Sequence, residues 1–221
     1  MLAADVQLAI FDCDGVLVDS EVISNQVLVS ALAAEGLQMT LTECRRNFQG
    51  LLLTDIASRV VQLLGRRLPD DWVECYERDR DSAFLRDLRP VDGAADAVRR
   101  ISAGSVPVCV ASQGKMEKTE LTLGRTGLRG LFGPDALFSA YSVPRGKPHP
   151  DLFLHAAAVM GVEYGHCIVV EDSPSGVAAA VAAGMVAIGY TADSDESALA
   201  DAGAQILIAS MHELPARLAL D

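Results

Sequence analysis

The chain is short of positive charge. It has 18 Lys and Arg against 30 Asp and Glu, for a formal net charge of −12 over 221 residues. Nucleic acid and anionic membrane surfaces meet net repulsion from such a chain, so neither is expected as a partner. A cysteine framework is also lacking. Cys13, Cys44, Cys75, Cys109 and Cys167 are odd in number and scattered. That excludes a disulfide scaffold and a zinc pattern. The histidines, His149, His155, His166 and His212, have no metal-ligand spacing. No basic region followed by a long apolar core opens the sequence, so no signal peptide is expected and the location expected is the cytoplasm. Ser173 to Ala192 carries no charge, but Gly184 splits it into a helix-like and a strand-like half. It reads as a buried helix and strand rather than a membrane span. Repeats and low-complexity tracts are missing.

What is present suits one domain, or one domain with an insertion. Hydrophobic residues make up 50% of the chain, enough for a core without staples. Short apolar runs read as strands at Val6–Phe11, Val106–Ala111, Ala136–Ala140, Cys167–Val170, Val186–Tyr190 and Ile206–Ile208. Helical patterns lie between or after them at Ala94–Ala103, Lys115–Arg125, Asp151–Met160, Ser175–Ala183, Ser197–Ala202 and Leu214–Leu220. This alternation predicts an α/β fold with a doubly wound parallel sheet and right-handed crossovers. Residues 18–88 break the alternation with helices alone. Ser20 is the candidate N-cap of the first, Thr42 a candidate cap of the second, and Gly65 the stop of the third. The expected division is an α/β core of residues 1–17 and 89–221 with an all-helical insertion of residues 18–88.

Charged and polar residues recur where strands end. Asp12 and Asp14 follow the first strand, two apart, so they lean to one side. Gly15 then allows a sharp turn. Paired carboxylates there suit a divalent cation, a carboxylate nucleophile, or both. Ser112, before Gln113 and Gly114, offers a hydroxyl and leads into a helix start, a ready phosphate site. Lys147 sits in the stiff loop Arg145-Gly146-Lys147-Pro148-His149-Pro150. Glu171 and Asp172 close a strongly apolar strand, a costly place for carboxylates that have no partner or cation.

Asp12/Asp14, Ser112, Lys147 and Glu171/Asp172 resemble, in order, the four motifs of the haloacid dehalogenase superfamily. The resemblance covers essentially the whole chain, and the inserted helices are similar to the helical cap of its β-phosphoglucomutase and sugar-phosphate phosphatase branch. It implies a Rossmann-like core with a cap. It further implies a Mg²⁺-dependent phosphatase of a small phosphorylated metabolite, a sugar or sugar-acid phosphate. Asp12 would be the nucleophile, Asp14 the general acid and base, Ser112 a ligand of the phosphoryl group and Lys147 its charge partner. Asp12, Asp172, the backbone carbonyl of Asp14 and, through water, Glu171 would bind Mg²⁺. Gln113, Gly50 and Leu53 are the expected substrate contacts. Asp14 would need a raised pKa to act as an acid, and neighbouring carboxylates would supply it.

Two other functions stay open. A phosphomutase of the β-phosphoglucomutase type would use a cap His and Arg, but by motif alignment those positions fall on Ser24 and near Leu53. Hydrolysis is favoured for that reason. A catalytically silent binding module is disfavoured by the complete motif set. The Leu51-Leu52-Leu53 run is either a face of the site or cap core. Trp72 and Tyr76 are expected in the cap core, and Arg45 and Arg46 on a solvated helix face.

Overall fold

The structure, a computed structural model, describes residues 6–48 and 51–218. Gly50, an expected substrate contact, lies outside the described residues, as does the end of the last expected helix. The strands are β1 (Leu8–Phe11), β2 (Val108–Ser112), β3 (Leu137–Ser139), β4 (Cys167–Glu171), β5 (Val186–Tyr190) and β6 (Ile206–Ile208). They form one sheet in the order β3-β2-β1-β4-β5-β6, parallel throughout. The order reverses at β1, between β2 and β4. Open α/β sheets place their ligand crevice at such a switch point, beyond the carboxyl ends of the strands.

β1, β2 and β4 have no exposed residue. A buried aliphatic or aromatic side chain contributes about 1.5–3 kcal/mol, and these continuous apolar runs are what a sheet covered on both faces requires. The covering helices are α5 (Ala94–Ala103), α6 (Met116–Arg125), α7 (Asp151–Met160), α8 (Pro174–Ala182), α9 (Glu196–Asp201) and α10 (Leu214–Arg217), numbered after the four that precede them in the chain. The uncharged stretch divides as expected into α8 and β5, with Gly184 at φ +73° between them. Among the described residues, no helix is long and apolar enough to cross a membrane.

Between β1 and α5 lie α1 (Glu21–Ala34), α2 (Leu41–Phe48), α3 (Leu53–Leu64) and α4 (Trp72–Asp87). They build a second hydrophobic cluster from Leu28, Leu32, Cys44, Phe48, Ile56, Val60, Trp72 and Tyr76. The chain enters and leaves these helices side by side. Val18 bridges Pro90 antiparallel, Asp19 N–H donates to Arg89 O (3.0 Å) and Val91 N–H to Leu17 O (2.9 Å). The far end of α4 is seated on the sheet's side of the molecule, because Phe84 and Leu88 belong to the main core. Arg125 of α6 caps that end, its Nε donating to Leu85 O at 2.8 Å.

Two caps differ from the sequence reading. Thr40, not Thr42, caps α2. Its Oγ1 accepts from Glu43 N–H (3.2 Å), and Glu43 reaches back to Thr40 N–H (2.9 Å). The box needs its hydroxyl three residues before the glutamate, which Thr40 satisfies and Thr42 does not. Ser20 occupies the N-cap of α1 but makes no side-chain cap bond. Its hydroxyl donates to Asp14 instead.

Candidate active site

Strand register alone brings the first and last motifs together. Phe11 of β1 is level with Val110 of β2 and Val170 of β4. One residue further, Asp12 therefore stands beside Ala111 and Glu171. The Lys147 ammonium lies across these three strand ends. It donates to Asp12 Oδ1 (2.6 Å), Glu171 Oε1 (2.6 Å) and Ala111 O (3.0 Å). Lys147 is buried, and its charge sits 5.0 Å from the centre of the Phe153 ring. Its backbone is gripped by the Gln113 amide. Lys147 N–H donates to Gln113 Oε1 (3.1 Å), and Gln113 Nε2 donates to Lys147 O (3.4 Å). A side chain on Gly146 would meet that amide at 2.8 Å, so the loop can close on Gln113 only with glycine there.

Asp12, Glu171 and Asp172 each place a carboxylate oxygen within 4.8 Å of the others, and all three are buried. Two like charges about 4 Å apart repel by roughly 4 kcal/mol at an effective dielectric near 20. One ammonium faces three carboxylates. Glu171 is further held by Ser173, whose N–H (3.1 Å) and hydroxyl (2.9 Å) donate to Oε2. Among the described residues, no side chain bonds or ion-pairs with the carboxylate of Asp172. Its pKa is raised well above the usual value, by burial first and then by the charges of Glu171, Asp12 and Glu21. Asp12 is pushed up as well, by burial and by Glu171 and Asp14, with Lys147 opposing. Gly15, at φ +76°, lets Asp172 approach, since a Cβ there would lie 2.3 Å from Asp172 Oδ2. The all-oxygen donor set, its surplus of charge and the unpartnered Asp172 fit a hard divalent cation such as Mg²⁺.

Asp14 departs from expectation. Burial pushes its pKa up, but the Lys118 ammonium beside it, hydrogen bonds from Lys118 and Ser20, and the charge of Arg80 together hold it below the usual value. The expected rise overlooked these donors, which come from α6, from the start of α1 and from α4.

Asp12, Asp14, Gln113, Lys147, Glu171 and Asp172 line one cleft, and α1, α3 and α4 form its opposite wall. Leu53 and Ser24 face it from that wall. The leucine run divides its work. Leu51 and Leu53 line the cleft, while Leu52 packs against the main core and Leu53 also against the second cluster. Ser112 is fully buried behind the cleft, and its Oγ accepts from Gly114 N–H at 3.0 Å. Tyr76 is in the second cluster as expected, but it also faces the cleft, together with Glu77 and Arg80. Arg80 is nearly buried. Its guanidinium lies 5.6 Å from the Tyr76 ring centre and 5.8 Å from that of Phe84. Glu77 pairs with Lys115 of the facing wall (2.8 Å). Arg45 donates to Asp193 O rather than standing free in solvent.

The fold and site thus define a Rossmann-like α/β protein with a carboxylate at the switch point of its sheet and a helical wall over it. Residues 6–184 match the family described as haloacid dehalogenase-like hydrolase, and the chain belongs to that family. It is 34% identical to 6-phosphogluconate phosphatase of Escherichia coli K12 over 189 residues, covering 85% of this chain and 84% of that one. Hexitol phosphatase B of the same strain is 32% identical over 217 residues, covering 95% and 94%. A haloacid dehalogenase family hydrolase of Deinococcus radiodurans R1, solved with phosphate and sodium bound, superposes with a TM-score of 0.80. It is 34% identical, with 98% of this chain and 96% of that chain covered.

Proposed function

We propose that this enzyme is a Mg²⁺-dependent phosphatase that hydrolyses a small sugar or sugar-acid phosphate through a phosphorylated Asp12. The arrangement that carries the reading is the Lys147 ammonium bonded to both Asp12 and Glu171, beside an Asp172 that has no partner of its own among the described residues. Such a centre is over-supplied with negative charge until a cation joins it. The phosphatase names of the relatives, and the phosphate held by the Deinococcus protein, support the same substrate class.

Asp12 attacks phosphorus, and the ester P–O bond breaks as the new Asp12–phosphorus bond forms. Asp14, whose pKa its donors hold down in the free enzyme, accepts the proton that an ester monoanion brings to the site and gives it to the departing alkoxide oxygen. It then takes a proton from the water that attacks the phosphorylated Asp12, so inorganic phosphate leaves, Asp12 is a carboxylate again and Asp14 again carries its proton. Lys147 offsets charge on Asp12 and the phosphoryl oxygens. The N-terminus of α6, beyond Ser112 and Gln113, faces the phosphoryl group. Asp12, Asp172 and the Asp14 carbonyl would hold Mg²⁺, with Glu171 beside them. When bound, the ion neutralises phosphoryl oxygens and stabilises the charge of transfer. Residues 18–88 act as a cap whose Leu53, Ser24 and α4 face the leaving group. Ser24 and Leu53 supply neither an imidazole nor a guanidinium, which favours hydrolysis over mutase chemistry.

The test is phosphate release from a panel of phosphorylated sugars, sugar acids and polyols with Mg²⁺, with and without chelator. Release is expected for at least one of them, abolished by chelator and by Asp12→Asn. No release from any member, or full activity in Asp12→Asn, would overturn the reading.

A further inference from the structure

We propose that Lys118 is a positioning residue that fixes Asp14 as the proton donor and acceptor of the site. Nothing in the four-motif pattern assigns it a role. Lys118 lies in the first turn of α6, and its ammonium pairs with Asp14 Oδ1. The Ser20 hydroxyl donates to that same oxygen. With both donors on Oδ1, Oδ2 has no partner among the described residues and is the oxygen left to face a substrate. A carboxylate held at one oxygen by two donors from different elements has lost its freedom to swing, and catalytic contributions fall steeply when a reacting group is misplaced.

The surroundings are built for this lysine. Lys118 is 9% exposed, although lysines seldom lie so deep without a task. Gly114 leaves room for its stem, since a Cβ there would lie 2.9 Å from Lys118 Cδ. The ammonium rests 5.8 Å from the centre of the Phe84 ring of α4. One side chain therefore joins the turn after β1, the start of α6 and the helix above the cleft. Asp14 is held before substrate arrives and does not depend on substrate to orient it.

The proposal rests on the phosphatase reading, and its test separates the two. Lys118→Met keeps the apolar stem and removes the ammonium. A sugar alkoxide leaves poorly without a proton, whereas p-nitrophenolate leaves without one. Loss of a correctly placed acid should therefore lower kcat/KM on the best sugar phosphate by about 10–100-fold. On p-nitrophenyl phosphate kcat/KM, which covers formation of the phosphorylated Asp12 but not the later attack of water, should fall by less than about 3-fold, which also reports a folded site. Lys118→Arg should recover most of the loss. In an Asp14→Asn background, Lys118→Met should add nothing, because the group it positions is gone. Equal losses of kcat/KM on the two esters, a further loss in the Asp14→Asn background, or full activity on the sugar phosphate would overturn the role of Lys118 while wild-type activity stands. A wild-type enzyme that releases phosphate from neither ester removes the phosphatase reading and this inference together.

Discussion

Replacing a helical glycine with alanine normally stabilises a protein, and Gly176→Ala should do the reverse. Gly176 lies in the first turn of α8, where alanine is worth about 1 kcal/mol over glycine. A Cβ at this position, however, would sit 1.9 Å from both Cδ and Oε1 of Glu171. A side chain free to rotate would give way. Glu171 is not free, because Lys147 holds Oε1 at 2.6 Å and Ser173 holds Oε2 through two donors. Moving the carboxylate breaks a buried ion pair, which costs about 3–5 kcal/mol. Shifting α8 instead strains a close-packed core by about 1–3 kcal/mol. Against the gain of about 1 kcal/mol, the net effect is a loss of roughly 2–4 kcal/mol where Glu171 moves and of up to about 2 kcal/mol where α8 shifts. The cheaper route sets the observed loss, so for a chain of this size Tm falls by up to about 8 °C. Gly124→Ala is the internal control. Gly124 is also helical, in α6, but has nothing within 4 Å of its would-be Cβ. It should gain up to about 1 kcal/mol and melt roughly 2–4 °C higher. Differential scanning calorimetry of the two variants beside wild type decides the matter. A Gly176→Ala protein that melts above wild type, as Gly124→Ala should, would mean that Glu171 is not anchored as described.

Thiol titration offers a second check. Cys13, Cys44, Cys109 and Cys167 are buried, and burial pushes the Cys44 and Cys167 thiols up to about 11 and those of Cys13 and Cys109 further. An aromatic disulfide reagent at mildly alkaline pH should therefore find one fast thiol, Cys75, in the native protein and all five after denaturation. Two or more fast thiols would contradict the packing around the others. Acid should act through the cap of α9. Asp195 accepts from Ser197 N–H (2.9 Å) and Ala198 N–H (3.3 Å), and with the Ser197 hydroxyl these donors hold it below 3.8. A depressed carboxylate contributes stability above its unfolded pKa and loses it as pH falls through the folded value. Asp195→Ala should thus melt below wild type at neutral pH, and the gap should close as pH drops below 3.8. A gap that stays constant through that range would show that the charge of Asp195 has no part in the cap.

The core elements were legible because each carries its own signal. Ala94–Ala103, Asp151–Met160, Val186–Tyr190 and Ile206–Ile208 run between the same residues in the structure as in the sequence. Apolar runs bounded by glycine or proline leave little choice of conformation. Caps were less legible. Several hydroxyls lie near a helix start, and which one bonds depends on tertiary partners. Ser20 has a cap's position, but Asp14 competes for its hydroxyl and takes it. Thr40 and Thr42 are separated only by their distance to Glu43.

The site divides along the same physical line. Asp12, Glu171 and Asp172 could be read because they stand at the ends of apolar strands, where a charge has no cheap structural excuse, whereas Lys147 is singled out by the motif resemblance, since a solvated lysine explains a loop position equally well. Lys118, Arg80, Glu77 and Lys115 could not be read. Each is a charged residue in or beside a helix, and a solvated helix face explains such a residue equally well. The difference appears only when α6 and α4 pack together. Lys118 then turns inward to Asp14, and Arg80 is covered by the rings of Tyr76 and Phe84. Even so, the sequence holds a trace of this arrangement. Gly114 stands before the first turn of α6 with no left-handed φ to require it, and the stem of Lys118 fills the space its missing side chain leaves. Gly124, Gly130 and Gly165 also lack a left-handed φ and have nothing within 4 Å, but Gly114, Gly146 and Gly176 are different: their neighbours are Lys118, the Gln113 amide that grips Lys147, and Glu171. The glycines thus outline the buried charge network, including the lysine that motif spacing alone passes over.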